Sequence, residues 1–161
     1  MAVTVEQLVG MSQSERDDLF RASPAGEIPD GDSEGTVLLN APSVGVPSGL
    51  LDRIGAQFAR WLAWRGKVVR AREGDLLNKV TIFNLHAIRA KVYKAPSWLD
   101  GKEAIVLDYS KTSFVAQKIR DEIREVAPGI YLGLVWWGRS RLVEFALEFP
   151  RRSADGGRPG A

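Results

Sequence analysis

The sequence predicts an α+β fold in which a curved antiparallel sheet closes into a small β-barrel. From residue 67 to residue 149 the hydrophobic pattern has mostly a period of two, as in β-strands. The links between these strands are mostly short and contain glycine, as in Glu73-Gly74-Asp75 and Gly138-Arg139-Ser140. Two segments, 48–64 and 111–126, have a helical period instead. Closure is the favoured version of the sheet because it removes exposed strand edges.

The length and composition predict one barrel domain with additional ends. A chain of 161 residues with 45% hydrophobic residues can bury a single core. Residues 1–22 are expected to form an N-terminal helical segment, and residues 23–150 the barrel domain. Residues 151–161 have the composition of a disordered tail, since they are mainly Arg, Ser, Gly, Pro and Ala.

The composition excludes several classes of function. The absence of cysteine excludes disulfides, thiolate nucleophiles and cysteine-held metal clusters. A net charge of +2, with three arginines in the tail, does not indicate a nucleic-acid partner. The start of the chain lacks the pattern of a secretory signal, and no apolar stretch reaches the roughly 18 residues of a membrane helix. We therefore expect a cytoplasmic monomer or homodimer without a membrane or nucleic-acid partner.

The N-terminal third combines helices with one strand. Thr4 and Ser14 are candidate caps of two short helices. Residues 23–33 are rich in Pro, Gly and acid, which predicts a loop long enough to cover the mouth of a pocket. Residues 35–39 make a plausible first strand, and an amphipathic helix is expected over residues 48–64.

The remaining strands and one helix follow in order. The expected strands are residues 67–72, 76–83, 86–93, 103–110, 130–137 and 141–149. Between them, Lys111 to Val126 reads as an amphipathic helix whose charged residues 120–125 form a solvated face. Pro128-Gly129 would end this helix.

Strand alternation sorts a few polar side chains inward. His86 shares a strand face with Ile88, Ala90 and Val92, and the opposite face is charged, so His86 is expected inside. Asn78 is expected inside for the same reason. Both faces of the strand around Asp108 are largely apolar, so alternation does not decide on which face Asp108 lies.

A second group of polar side chains is expected outside. In the last strand Val143, Phe145, Leu147 and Phe149 should face inward. Glu144 and Glu148 should therefore face outward.

His86 and Asp108 are the candidate catalytic residues. A buried carboxylate needs a partner or a proton, and the single histidine of the chain could supply one. Such a pair could act as general acid and base without a cofactor. The alternative is structural: His86 would be a strand-boundary residue, and Asp108 would cap a turn.

Aromatic residues are the other candidates for contact with a ligand. Tyr109 and Tyr131 could donate hydrogen bonds to a ligand oxygen, and Asn78 could join them. Adjacent Trp136 and Trp137 must point to opposite sides of their strand, so one of them should enter the interior. Packing is the more common role of such aromatic side chains.

Three segments resemble those of small, uncharacterised bacterial proteins with lipocalin-like, or calycin, barrels. They are Trp98-Leu99-Asp100-Gly101, Leu107-Asp108-Tyr109-Ser110 and the hexapeptide from Pro128 to Gly133. The resemblance is architectural, and the Gly-x-Trp sequence that opens typical lipocalins is missing. It implies a ligand cavity without naming the ligand.

Three functions follow as hypotheses. The first is binding of a small hydrophobic or amphipathic molecule, of acyl, polyketide or terpenoid type, in a barrel cavity. The second is a cofactor-independent isomerase, lyase or cyclase that uses His86 and Asp108. The third is haem binding through His86. Phosphate-loop, dinucleotide, nucleophile-elbow and zinc-protease motifs are absent, and no protein-held metal site is expected.

Overall fold

The structure, a computed structural model, describes residues 2–38, 64–70, 75–80, 89–110 and 118–150, with only the backbone of 64–70, 75–80, 89 and 90. The predicted helix over residues 48–64 lies outside this part of the chain except for Trp64, which begins a strand. The predicted tail, residues 151–161, also lies outside it.

Two helices precede the strands. Helix α1 spans Val5–Gly10 and helix α2 spans Gln13–Ala22. The strands are β1 Gly31–Asp32, β2 Glu34–Leu38, β3 Trp64–Arg70, β4 Asp75–Val80, β5 Arg89–Pro96, β6 Glu103–Asp108, β7 Ile119–Ala127, β8 Ile130–Trp137 and β9 Ser140–Glu148. No helix in the described ranges combines the length and hydrophobicity that a membrane crossing requires.

The described strands form one antiparallel sheet, which confirms the α+β class. Their order is β1-β3-β4-β5-β6-β7-β8-β9-β2, so strands from β3 to β9 pair with their sequence neighbours. Strand β1 pairs with β3, and β2 pairs with β9. Only Ser33 separates β1 from β2. One short segment of chain therefore pairs with the strands at both ends of the series.

One face of the sheet is covered by the two N-terminal helices, and we call it the helix-covered face. Leu8 of α1 and Phe20 of α2 are fully buried. Their cluster also contains strand side chains, namely Leu38, Ala104, Leu132, Leu134, Trp136 and Ala146. Removing this much apolar surface from water is what holds such short helices in place, since they would be marginal alone.

The other face is covered in part by the loop that follows α2, and we call it the loop-covered face. Its strand residues include Val92, Ile105, Leu107, Ile123, Tyr131, Val135, Val143, Phe145 and Leu147. Ala25 is buried in the same cluster, and Ile28 packs against it. The loop predicted over residues 23–33 covers part of this hydrophobic surface, but it ends earlier than predicted, because Gly31–Asp32 forms strand β1.

The predicted helix over Lys111 to Val126 is wrong where the structure describes it, because residues 119–127 form strand β7. The charged run within it is not solvated either. Asp121, Glu122 and Arg124 are each 0% exposed. Their side chains have partners on neighbouring elements, and this outweighs the helical spacing of Ile119, Ile123 and Val126.

Two smaller predictions also need correction. Helix α2 begins earlier than expected, because Ser12 caps it in a reciprocal arrangement with Glu15. Glu144 does lie opposite the face of Phe145, but it is 0% exposed rather than solvated, because α2 covers that face. Glu148 is exposed, as predicted.

Candidate functional site

A carboxylate and a tyrosine meet on the loop-covered face. Asp121 of β7 lies between Leu107 of β6 and Val135 of β8 in the strand register, and both neighbours belong to the apolar cluster of that face. The hydroxyl of Tyr109 donates a hydrogen bond of 3.1 Å to Oδ2 of Asp121. Asp121 is 0% and Tyr109 is 3% exposed. This is a polar pair within an apolar surface.

The opposite end of the same face is closed by the loop after α2. Tyr131 lies across from Glu125, four residues along β7 from Asp121. Its hydroxyl donates a hydrogen bond of 2.9 Å to the carbonyl of Glu27. Burial, together with the charges of Glu125 and Glu27, raises the pKa of Tyr131 to about 12. Tyr131 is therefore a neutral donor that ties the loop to the sheet.

The middle of the face is shaped by Gly133 and Phe145, which are direct partners on β8 and β9. A Cβ atom at Gly133 would lie 2.2 to 2.5 Å from atoms of the Phe145 ring. The ring therefore lies flat against β8, in space that any larger residue would occupy. A glycine here is required by this contact rather than by an unusual backbone angle.

Asp108 lies on the helix-covered face, away from Asp121. It pairs in register with Lys91 and Arg120. Its Oδ2 accepts from the hydroxyl of Tyr93 at 3.2 Å, and its Oδ1 accepts from the backbone N–H of Ser110 at 2.8 Å. Burial opposes its charge, but the hydrogen bonds from Ser110 and Tyr93 outweigh it, and the pKa of Asp108 is lowered. These contacts suit a turn cap better than a general acid.

Two further polar residues, His86 and Asn78, were predicted to face inward, and neither has a described side chain. His86 is outside the described residues, and so the His86–Asp108 pair and haem binding through His86 stay predictions. Asn78 pairs with Lys67 in the β3–β4 ladder, and only its backbone is described. Val92, expected on the same face as His86, is buried on the loop-covered face.

The two tryptophans separate as predicted. Trp136 lies in the cluster of the helix-covered face and makes an edge-on contact with Trp98, with ring centroids 6.0 Å apart. Trp137 is half-buried and lies opposite Ile119, which packs on the loop-covered face. Of the predicted ligand-binding residues with described side chains, Tyr109, Tyr131 and Trp137 belong to that side of the sheet.

Buried charges on the helix-covered face serve as anchors. Arg124 donates to both carboxylate oxygens of Asp100, at 2.7 and 2.8 Å, and to the backbone carbonyls of Phe20, Lys102 and Glu103. Five bonds use all five N–H groups of the guanidinium. Arg124 thereby joins α2, the turn between β5 and β6, and strand β7.

A second anchor joins α2 to β9. Arg16 and Glu144 form an ion pair in which both side chains are 1% exposed. Burial raises the pKa of Glu144, while the hydrogen bond from Arg16 and the charge of Arg141 oppose this rise. Arg141 also bonds to Asp17 at 2.7 Å. Each of these four charged side chains is paired with an opposite charge inside the fold, which indicates a structural role.

The sequence pattern did not identify Asp121. Its neighbours Ile119 and Ile123 are spaced as in a helix, and on a helix Asp121 would fall among the charged residues. On a strand, the same two isoleucines flank Asp121 on one face. Alternation could have found it only if residues 119–127 had first been assigned to a strand.

The arrangement places a hydrogen-bonded carboxylate and hydroxyl within an apolar environment. A carboxylate accepts hydrogen bonds or attracts a cation, and low polarity around it strengthens both interactions. Among the described residues, no three His, Asp or Glu side chains are arranged to hold a metal ion.

Comparisons with known proteins give information about the fold alone. No protein-family model matches the chain, and no curated protein matches it. A crystal structure of a protein from Thermomonospora curvata is similar, with a TM-score of 0.54 and 16% sequence identity over 88% of this chain and 89% of that one. At this identity the likeness concerns the architecture, and this chain has the same overall fold as that protein.

Proposed function

We propose that the protein binds a small hydrophobic or amphipathic molecule, of acyl, polyketide or terpenoid type, against the loop-covered face of the sheet. The observation that carries this proposal is the Asp121–Tyr109 pair, fully buried among apolar side chains. Binding sites for small molecules are mostly apolar and contain a few polar groups that orient the ligand.

The pairing of the sheet supports a barrel around this site. Because β1 and β2 are consecutive and pair with β3 and β9, the chain from Gly31 to Leu38 connects the two ends of the strand series. Closure of this kind would turn the loop-covered face into an interior. The loop after α2 would then cover one end of that interior.

Native mass spectrometry of the protein purified from cells tests binding directly. We expect a retained small molecule, and a rise in melting temperature with members of a lipophile panel. Asp121→Asn and Tyr109→Phe should weaken both signals. Asp108→Asn changes the residue that was predicted from the sequence, which lies on the opposite face, and should leave both signals unchanged. Loss of the ligand in Asp108→Asn alone would contradict the site at Asp121. Absence of both a retained molecule and a thermal shift with every lipophile would contradict binding.

A second candidate is a cofactor-independent isomerase, lyase or cyclase acting on such a ligand. The specific observation in its favour is again the buried carboxylate with a tyrosine as its partner, since proton transfer needs an acid and a base close together. His86, which was predicted as the partner of Asp108, lies outside the described residues and stays a candidate. Incubation of the retained molecule with wild-type, Asp121→Asn and His86→Ala protein, followed by NMR, tests it. Unchanged turnover in both variants would reject this activity.

A further inference from the structure

We propose that the protein has a docking surface for an acidic peptide segment of another protein, at a patch of arginine and aromatic side chains. This arginine–aromatic patch consists of Tyr93, Trp98, Asp108, Arg120 and Arg139. It lies on the side of the sheet that carries the N-terminal helices. The proposal is independent of the ligand proposed for the loop-covered face.

Direct contacts join the members of the patch. The Tyr93 hydroxyl donates to Asp108, and Asp108 is the register partner of Arg120 on the next strand. The guanidinium carbons of Arg120 and Arg139 lie 4.5 and 4.8 Å from the centroid of the Trp98 ring. Tyr93 is 38% exposed, Arg139 is exposed and Trp98 is half-buried. The helices therefore leave this part of the face in contact with solvent.

The charges of the patch leave an excess of positive charge at its surface. Glu122, which is 0% exposed, holds Arg120 at 2.9 Å. Both carboxylate oxygens of Asp108 accept hydrogen bonds within the fold. Among the described residues no acid forms an ion pair with Arg139, whose contact is with the Trp98 ring. Lys118, exposed and bonded through its carbonyl to the turn that contains Arg139, adds a second cation. An acidic partner would complement this surface.

The stacking of Arg139 on Trp98 prepares its guanidinium for a carboxylate. A guanidinium that lies on an aromatic ring keeps the N–H groups at its edge free, and these donate to a carboxylate in pairs. Because the ring restricts an otherwise flexible side chain, less conformational entropy is lost on binding. Trp, Tyr and Arg are also the residues that most often dominate the affinity of protein interfaces. The composition of the patch thus favours a protein partner.

The same geometry disfavours a nucleic acid. Single-stranded nucleic acids bind by stacking their bases on exposed aromatic rings. Two guanidinium groups already lie over the Trp98 ring, and Trp136 contacts it edge-on, with ring centroids 6.0 Å apart. A base would have to displace an arginine to stack there, whereas a carboxylate binds at the edge of the arginine. Glu and Asp side chains are the groups that fit.

Peptides of equal length test the surface: one alternates Glu with Gly, and the others have Gln or Lys in place of Glu. A single-stranded oligothymidylate of the same charge represents nucleic acid. Each is titrated into isotope-labelled protein, and NMR follows the indole N–H of Trp98 and the backbone amides of Arg120 and Arg139. We expect these signals to shift saturably with the Glu peptide alone. Added salt should weaken this binding, because it screens exposed charges.

Two variants that each remove one positive charge locate the binding. Arg139→Gln should weaken the affinity for the Glu peptide at least about fivefold, as for an arginine that dominates an interface. Lys94→Gln is the matched control, since Lys94 pairs in register with Ile105 of the loop-covered face and bonds to Glu103 at 3.5 Å. It should change the affinity by less than about twofold. Should Arg139→Gln fail to fold by circular dichroism, Tyr93→Ala takes its place with the same loss expected.

Several results would overturn the docking surface. They are the absence of shifts with the Glu peptide, equal affinity for the Glu and Gln peptides, and tighter binding of the oligonucleotide. An equal affinity of Arg139→Gln and Lys94→Gln, or an unchanged affinity of Tyr93→Ala where it is used, would also overturn it, because the attraction would then arise elsewhere. None of these results bears on the binding of a lipophile, which is measured separately.

Discussion

At the scale of single residues, the contact between Gly133 and Phe145 makes a clear prediction. Gly133→Ala places a methyl group within 2.5 Å of three ring atoms, so the ring must move away from β8. We expect a loss of about 1 to 3 kcal/mol in the free energy of unfolding, as for other overpacked cores. Urea denaturation measures it. Gly10→Ala, where nothing lies within 4 Å of the added methyl group, is the control. Equal midpoints for the two variants would contradict the contact.

Asp100 predicts how stability changes with acidity. Hydrogen bonds from Arg124 lower the pKa of Asp100 in the folded protein. A group with a lowered folded pKa stabilises the fold above its unfolded pKa of about 3.9, and this contribution disappears as the pH falls through the folded pKa. Asp100→Asn should therefore be less stable at neutral pH and lose less stability on acidification. Parallel pH profiles of wild type and variant would contradict this.

At the scale of elements, strand β7 is tested by Glu122. Its carboxylate accepts from the Ser97 hydroxyl at 2.5 Å, the Trp98 backbone N–H at 2.8 Å and Arg120 Nε at 2.9 Å. Glu122→Ala leaves these donors without their acceptor, and we expect a loss of about 1 to 3 kcal/mol. Glu148→Ala, on the exposed end of β9, should change stability by less than about 0.5 kcal/mol. Similarly small changes in the free energy of unfolding for Glu122→Ala and Glu148→Ala would instead favour the predicted helix, in which Glu122 is solvated.

Much of the element pattern could be predicted from sequence. The hairpin of β8 and β9 and the hairpin of β3 and β4 follow from alternation and glycine turns. Strand β7 could not be predicted in this way, because its acceptors and donors come from distant segments. Arg124 bonds to Phe20, and Glu122 bonds to Ser97, over more than twenty intervening residues. Local spacing contains no information about such partners.

The candidate site was predictable only in part, for the same reason. Tyr109 and Tyr131 were expected near a ligand, and both lie on the loop-covered face. Alternation did not decide the face of Asp108, which lies on the helix-covered face, and Asp121, predicted on a solvated helix face, lies with Tyr109 on the loop-covered face. The residues that share a face with Tyr109 depend on which strands are its neighbours, and β7 was not expected among them.

At the scale of the whole molecule, the N-terminal helices are part of the core. Removal of residues 2–22 would expose Leu132, Leu134 and Trp136, and it would remove Arg16, the partner of Glu144. We expect the truncated chain to bind a hydrophobic dye and to lose its near-ultraviolet circular dichroism. A truncated protein that still unfolds cooperatively would show that the sheet is stable without them.

Only Ser33 lies between β1 and β2, and this restricts insertions at that point of the chain. Gly31 is paired with Val69 and Glu34 with Glu148, so both ladders are set within four consecutive residues. An inserted residue at Ser33 would shift one ladder relative to the other, and every side chain of β1 or β2 would turn to the opposite face. Length variation should therefore be tolerated in the turn after β8 and rejected at this junction.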